Sequence, residues 1–288
     1  MRHHAAALLL LAVVACGGGG GGGGPKVALR YHPPAGAVYH FGVEQHTTVS
    51  AESGPLARMG RQQILMRLYF TQTVKGPVNG GTEVDVVFET ITMEIPGMPS
   101  NIAGGALAGL QGMHGTLVID ERGKVIRSDF ARAPSVSPDM AKRLAAGVNA
   151  MAFGFPEQRV GRGDSWTFTS ELPLDQVPGI TASTTEVART TLTVRELRVE
   201  GSDTSVVLDI KTEFPSQPIH LASAEQSGTL KLEGGTAGHQ VFSISRGAIV
   251  DGTVKGTMKI NFSGSGLGSA GMTMHTETEN SIVLLPNQ

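Results

Sequence analysis

Cysteine is almost missing: Cys16 is the only one in 288 residues. A lone thiol excludes a disulfide framework within the chain and a thiolate cluster for a metal. Aromatic residues make up 5 %, with one Trp and three Tyr, so the core is expected to be built from Val, Leu, Ile, Met and Phe. Long apolar runs are also lacking. From Ala5 to Val14 every residue is Ala, Leu or Val, but ten residues are about half of the roughly 20 that a membrane-crossing helix needs. Neither sign of charge dominates, with 23 basic residues against 25 acidic ones. Without a basic stripe there is no footprint for nucleic acid.

Signatures of chemistry are missing too. The chain has no Gly-x-Ser-x-Gly elbow, no Ser-x-x-Lys and no His-Glu-x-x-His. Gly266-Leu-Gly268-Ser-Ala-Gly271 matches the dinucleotide fingerprint by letter. That fingerprint needs a helix after it, whereas Met272 to Leu285 alternates as a strand, so a hairpin loop is expected. The expectation is a non-catalytic protein with no cofactor. A hydrolase with residues far apart in sequence is the weaker alternative.

What is present begins at the N-terminus. Arg2 precedes the short apolar run, which suits a signal peptide over residues 1–15. The run closes on Val13-Val14-Ala15-Cys16, which resembles the bacterial lipobox. The resemblance implies cleavage before Cys16, acylation of its thiol, and a membrane as partner through that anchor. Gly17 to Gly24 follow without interruption and lead into Pro25. Glycine has no side chain to bury and loses the most entropy on ordering, so residues 16–35 read as a tether, with a reach of roughly 15 Å for the eight glycines. The expected localisation is the cell envelope, at the outer membrane in a bacterium that has two.

Beyond the tether, period-two alternation dominates. Tyr39, Phe41 and Val43 lie on one face with His40, Glu44 and His46 on the other. Val206, Leu208 and Ile210 alternate with Ser205, Asp209 and Lys211 in the same way. Such strands are half-buried in antiparallel sheets. An internal repeat is visible as well. Gly36-x-x-Tyr39-x-Phe41 matches Gly163-x-x-Trp166-x-Phe168, Glu94-Ile95-Pro96 matches Glu213-Phe214-Pro215, and Gly115-Thr-Leu117 matches Gly228-Thr-Leu230. The Pro-x-x-Pro pieces after Glu94 and Glu213 are either ligands for partner domains or strand ends, where proline's missing donor does no harm. Ser137-Pro138-Asp139 starts a helix in which Met140, Leu144, Val148, Met151 and Phe155 form one stripe before Pro156.

The pieces Gly36-x-x-Tyr39-x-Phe41, Gly115 to Val125 and Gly161-Arg-Gly-Asp164-Ser-Trp166 resemble a family of uncharacterised bacterial envelope lipoproteins. More remotely, lipobox, curved sheet and covering helix resemble the half-barrel lipid carriers of the LolA and LppX kind. The resemblance implies a lipid or apolar ligand held between helix and sheet. The fold expected is mainly β (α+β), an antiparallel curved sheet, half-barrel or sandwich. Its parts are a first half at 36–136, a covering helix near 138–155 and a second half at 157–288. The ligand would lie against Met140, Leu144, Val148, Met151 and Phe155. The many methionines (Met66, Met93, Met98, Met113, Met258, Met272 and Met274 besides Met140 and Met151) either line such a cavity or fill an irregular core. His40, Glu44 and His46 read as a solvated face rather than a metal site. Asp164 reads as a turn, Trp166 as core, and His220 and His239 as loop residues. The alternative function is a structural lipoprotein that binds protein partners or the cell wall.

Overall fold

The computed structural model describes residues 24–53, 57, 58, 60–99, 110–130, 154–172, 181, 182, 187–201, 203–215, 217–222, 227–264 and 271–286. Alternation becomes strand in each segment where it was read. The strands are β1 (Val38–Ala51), β2 (Gln62–Val78), β3 (Gly81–Glu94), β4 (His114–Ile119), β5 (Val125–Phe130), β6 (Ser165–Glu171) and β7 (Thr181–Ala182). They continue with β8 (Val187–Glu200), β9 (Asp203–Glu213), β10 (Ile219–Ala222), β11 (Ser227–Ser243), β12 (Ala248–Gly264) and β13 (Met272–Leu285). All join one antiparallel sheet, ordered β5-β4-β3-β2-β1-β13-β12-β11-β9-β8-β6, with β10 beside β11 and β7 beside β10. The path is a meander cut between β5 and β6 and rejoined by pairing β13 with β1.

The repeat is written into the hydrogen bonds. Gly36 N–H donates to Val74 O, and Val74 N–H donates to Ala37 O. In the second half Gly163 N–H donates to Val194 O, and Val194 N–H donates to Asp164 O. Gly36 and Gly163 both adopt positive φ, +80° and +86°, where a side chain is disfavoured. Val74 and Val194 are both buried, and each is followed by a bulge in its strand. Tyr39 and Trp166, three residues after the two glycines, then point to the same face of the sheet.

That face is the inner one, because side chains from both halves meet on it. Tyr39, Phe41, Val84, Phe88, Leu192, Val194, Leu208 and Phe242 belong to one buried cluster. Phe41, Phe70, Phe88 and Phe130 form a chain of ring contacts from β1 to the β5 edge. This core fills one end of the curved sheet, where β1 begins, β2 ends and β3 begins. Two non-strand segments plug that end. Val27 pairs with Val160, and Leu29 and Tyr31 are buried in the cluster. Burial raises the pKa of the Tyr31 hydroxyl, which accepts a hydrogen bond from Gln72 Nε2 at 2.7 Å. Residues 154–156 tie the two sheet edges together. Phe155 N–H donates to Arg122 O in the β4–β5 turn, Arg122 Nε donates to Phe155 O, and Trp166 Nε1 on β6 donates to Gly154 O.

One boundary drawn from composition shifts in the structure. Residues 27–35 were grouped with the tether, but Leu29 is fully buried. Alternation was too short there to reveal packing against a distant segment. The expected helix over 137–156 lies mostly outside the described residues, and its described end, residues 154–156, has no helical structure.

Candidate functional site: an uncharged trough

The register fixes which side chains share the inner face beyond the core. On β13 these are Met272, Met274, Thr276, Thr278 and Asn280. On β1 they are Gln45, Thr47, Val49 and Ala51, and on β2 they are Ile64, Met66 and Leu68. Ile91 and Met93 continue the surface on β3, and Met258, Ile260 and Phe262 do so on β12. Leu230 and Leu232 on β11 belong, with Ile219, to a second buried cluster, against which Phe214, Met258, Ile260 and Phe262 pack. Met66, Met93, Met258, Met272 and Met274, from four different strands, therefore line one end of one face, each only partly buried. From Thr278 to Met272 the trough runs about 20 Å at strand rise. One leaflet's acyl chain spans roughly 15 Å of hydrocarbon.

Between the aromatic core and this apolar end the register places a polar row. Thr47 pairs with Thr278, Thr278 with Gly256, Gly256 with Thr236, Thr236 with Thr212, and Thr212 with Thr190. Thr190 and Thr212 share a hydrogen bond of 2.9 Å, and Gln45 Nε2 donates to Thr47 Oγ1 at 3.0 Å. Asn280, one rung toward the core, is exposed although it faces inward, so the trough is open there. The row is invisible in the sequence. Its threonines lie on five strands and become neighbours only through register.

The other candidates resolve into structure. His46 Nε2 lies 2.7 Å from Glu44 Oε1, and Arg67 Nε donates to Glu44 Oε2 at 2.9 Å. Hydrogen bonds from His46 and Arg67 hold the Glu44 carboxyl below its usual range. His40 Nδ1 lies 2.7 Å from Thr71 Oγ1. Among the described residues no three of His, Cys, Asp or Glu are grouped as a metal site. Asp164 Oδ2 accepts from Gly161 N–H and from Lys26 Nζ, which closes a turn and lowers its pKa. His220 and His239 lie in β10 and β11 rather than in loops, because the alternation there is interrupted by Gly and Pro. Met113 is core and Met98 is exposed in the turn after β3. Phe155 is fully buried, its ring 4.7 Å from that of Phe242. Cys16, Met140, Leu144, Val148 and Met151 lie outside the described residues. A hollow of about 460 Å³ beside Gly235 and Ala237 is lined by Lys211, Thr212 and Glu213 on β9, Thr236 on β11, and Lys255 and Thr257 on β12.

No protein-family model and no curated protein matches the sequence. Among solved structures the chain is similar to one described as "Lipid-protein interactions in lipovitellin". The TM-score is 0.51 at 12 % identity, with 88 % of this chain and 26 % of that chain covered. This chain thus spans about a quarter of the length of the lipovitellin chain. Alignments with DynF from the dynemicin biosynthesis pathway of Micromonospora chersina (TM-score 0.23, 8 % identity, 91 % and 86 % covered) and with a mutant Rh. blastica porin (TM-score 0.28, 9 % identity, 85 % and 100 % covered) define no shared fold. The lipovitellin likeness defines the class: a mainly antiparallel β protein built as one open, curved sheet.

Proposed function

We propose that the chain is a non-catalytic lipid-anchored protein of the bacterial cell envelope whose curved sheet binds or carries an apolar or amphiphilic molecule. The carrying observation is the convergence of Met66, Met93, Met258, Met272 and Met274 on one half-exposed stretch of the inner face. Unbranched thioethers accept varied chain shapes. Each methylene moved from water onto such a surface gains about 0.8 kcal/mol. The lipobox-like Val13-Val14-Ala15-Cys16 and the eight glycines after it support an anchored body. The lipovitellin structure, described by its lipid–protein interactions, supports the same reading at the level of fold.

The test is native mass spectrometry with lipid extraction on the full chain carrying Cys16→Ser, expressed in a bacterial host. Near-stoichiometric lipid is expected. The double variant Met258→Glu/Met274→Glu is expected to lose it, and the outward Glu277→Gln to keep it. A lipid-free mass that stays unchanged when lipids are offered would retire the reading in favour of a protein-binding lipoprotein.

A further inference from the structure

Charge is distributed between the two faces of this sheet without exception. Among the described strands no Asp, Glu, Lys, Arg or His side chain falls on the inner face by register. The ion pairs Arg67–Glu44, Lys75–Asp85, Arg195–Asp209 and Lys255–Glu279 all lie outside. A trough that held only water would accept a charge at many of these positions. The inner face instead offers uncharged hydrogen-bonding groups: the threonine row with Gln45 and Asn280. Among the described residues the side chains of Thr236, Thr278 and Asn280 make no hydrogen bond, and Gln240 Oε1, on the same face, is buried without a partner.

Resting on the lipid-binding reading above, we infer that the trough selects lipids whose head group is polar but uncharged. The head lies on the threonine row and the acyl chains run toward the methionine-lined end. A hydroxyl or ester of such a lipid finds both donors and acceptors there, since each threonine hydroxyl is both. A phosphate or carboxylate brought to the row would leave water and meet no cation on the inner face, which is unfavourable for any buried ion left unpaired. The rival geometry inserts chains first and leaves the head in water at the mouth, and it makes head-group charge irrelevant.

Two lipids with identical chains separate these cases: dioleoylglycerol and dioleoyl phosphatidic acid. Each is titrated from the same detergent micelles into the full chain carrying Cys16→Ser, against displacement of a fluorescent acyl probe. Dioleoylglycerol is expected to bind at least about tenfold more tightly, equal to about 1.4 kcal/mol. Asn280→Lys is expected to bring phosphatidic acid to parity. Thr278→Val is expected to weaken dioleoylglycerol alone, and unchanged thermal unfolding identifies each variant as folded. Equal affinity of the two lipids overturns the inference and leaves the carrier reading standing. Uptake of neither lipid overturns both.

Discussion

Phe155 separates a residue that holds the sheet together from one that touches ligand. Helical spacing assigned it to the ligand-facing stripe, whereas the structure buries it completely against Phe242, with ring centroids 4.7 Å apart and planes at 60°. Its backbone is bonded to Arg122 through both N–H and C=O, so the segment joins the β4–β5 turn to the core beneath β11. Replacement by Ala removes a fully buried ring and leaves a cavity walled by the aromatic core. Such Phe→Ala changes cost about 3–5 kcal/mol. At about 2–4 °C per kcal/mol for a large domain, Phe155→Ala is expected to melt roughly 6–20 °C below the parent. Circular dichroism in the β region follows the melt, and urea unfolding at 25 °C gives the free energy independently. Lipid uptake well below the melt is expected to match the parent. A loss under about 1 kcal/mol would refute the keystone role, since even one buried methylene carries about that much. Lost uptake with an unchanged melt would return Phe155 to the ligand wall.

Other outcomes follow from the same geometry. A Cβ at Gly238 would sit 2.1 Å from Thr253 O and 2.6 Å from Val254 Cα, both backbone atoms. Gly238→Ala is therefore expected to cost about 1–3 kcal/mol in urea unfolding, and a neutral result would contradict the tight approach of β11 and β12. Trp166→Phe removes the N–H that donates to Gly154 O at 2.6 Å, with an expected loss of about 1–3 kcal/mol from the orphaned carbonyl; an unchanged midpoint would show that the edge tie is dispensable. Burial opposes ionisation of Asp203, but hydrogen bonds from Ser245 and Ser243 outweigh it and hold its carboxyl below the usual range. Because the folded value is depressed, this contribution is complete above the ordinary Asp value near 3.9 and is lost as pH falls through the folded value. Stability measured from pH 5 down to about pH 2 is expected to decline, and Asp203→Asn is expected to flatten that decline. An identical slope in the variant would remove Asp203 from the account.

Legibility in the sequence followed interaction range. Strands were readable because alternation is local: Tyr39, Phe41 and Val43 declare an inner face within five residues. The repeat was readable because Gly36 and Gly163 meet the same demand, a positive φ before an inward aromatic residue. The packing of Leu29 and Tyr31 was not readable, since it depends on the pairing of Val27 with Val160 and the hydrogen bond from Gln72 to Tyr31, both far along the chain. The threonine row was equally hidden. Thr47, Thr190, Thr212, Thr236 and Thr278 follow no common spacing, and only the register of five strand pairs aligns them. Methionine count left cavity lining and core filling both open and did not say which methionines do which: Met113 went to the core and Met98 to an exposed turn, while five others shared one surface.

The most direct test of the central claim is photoaffinity labelling with a diazirine-bearing acyl lipid, followed by peptide mapping of the labelled chain. The expected labels fall on inner-face peptides containing Met66, Met93, Met258 and Met274. Labels confined to the outer face, at Tyr69 and Val283, or spread without preference, would contradict the claim that the inside of the curved sheet is where lipid binds.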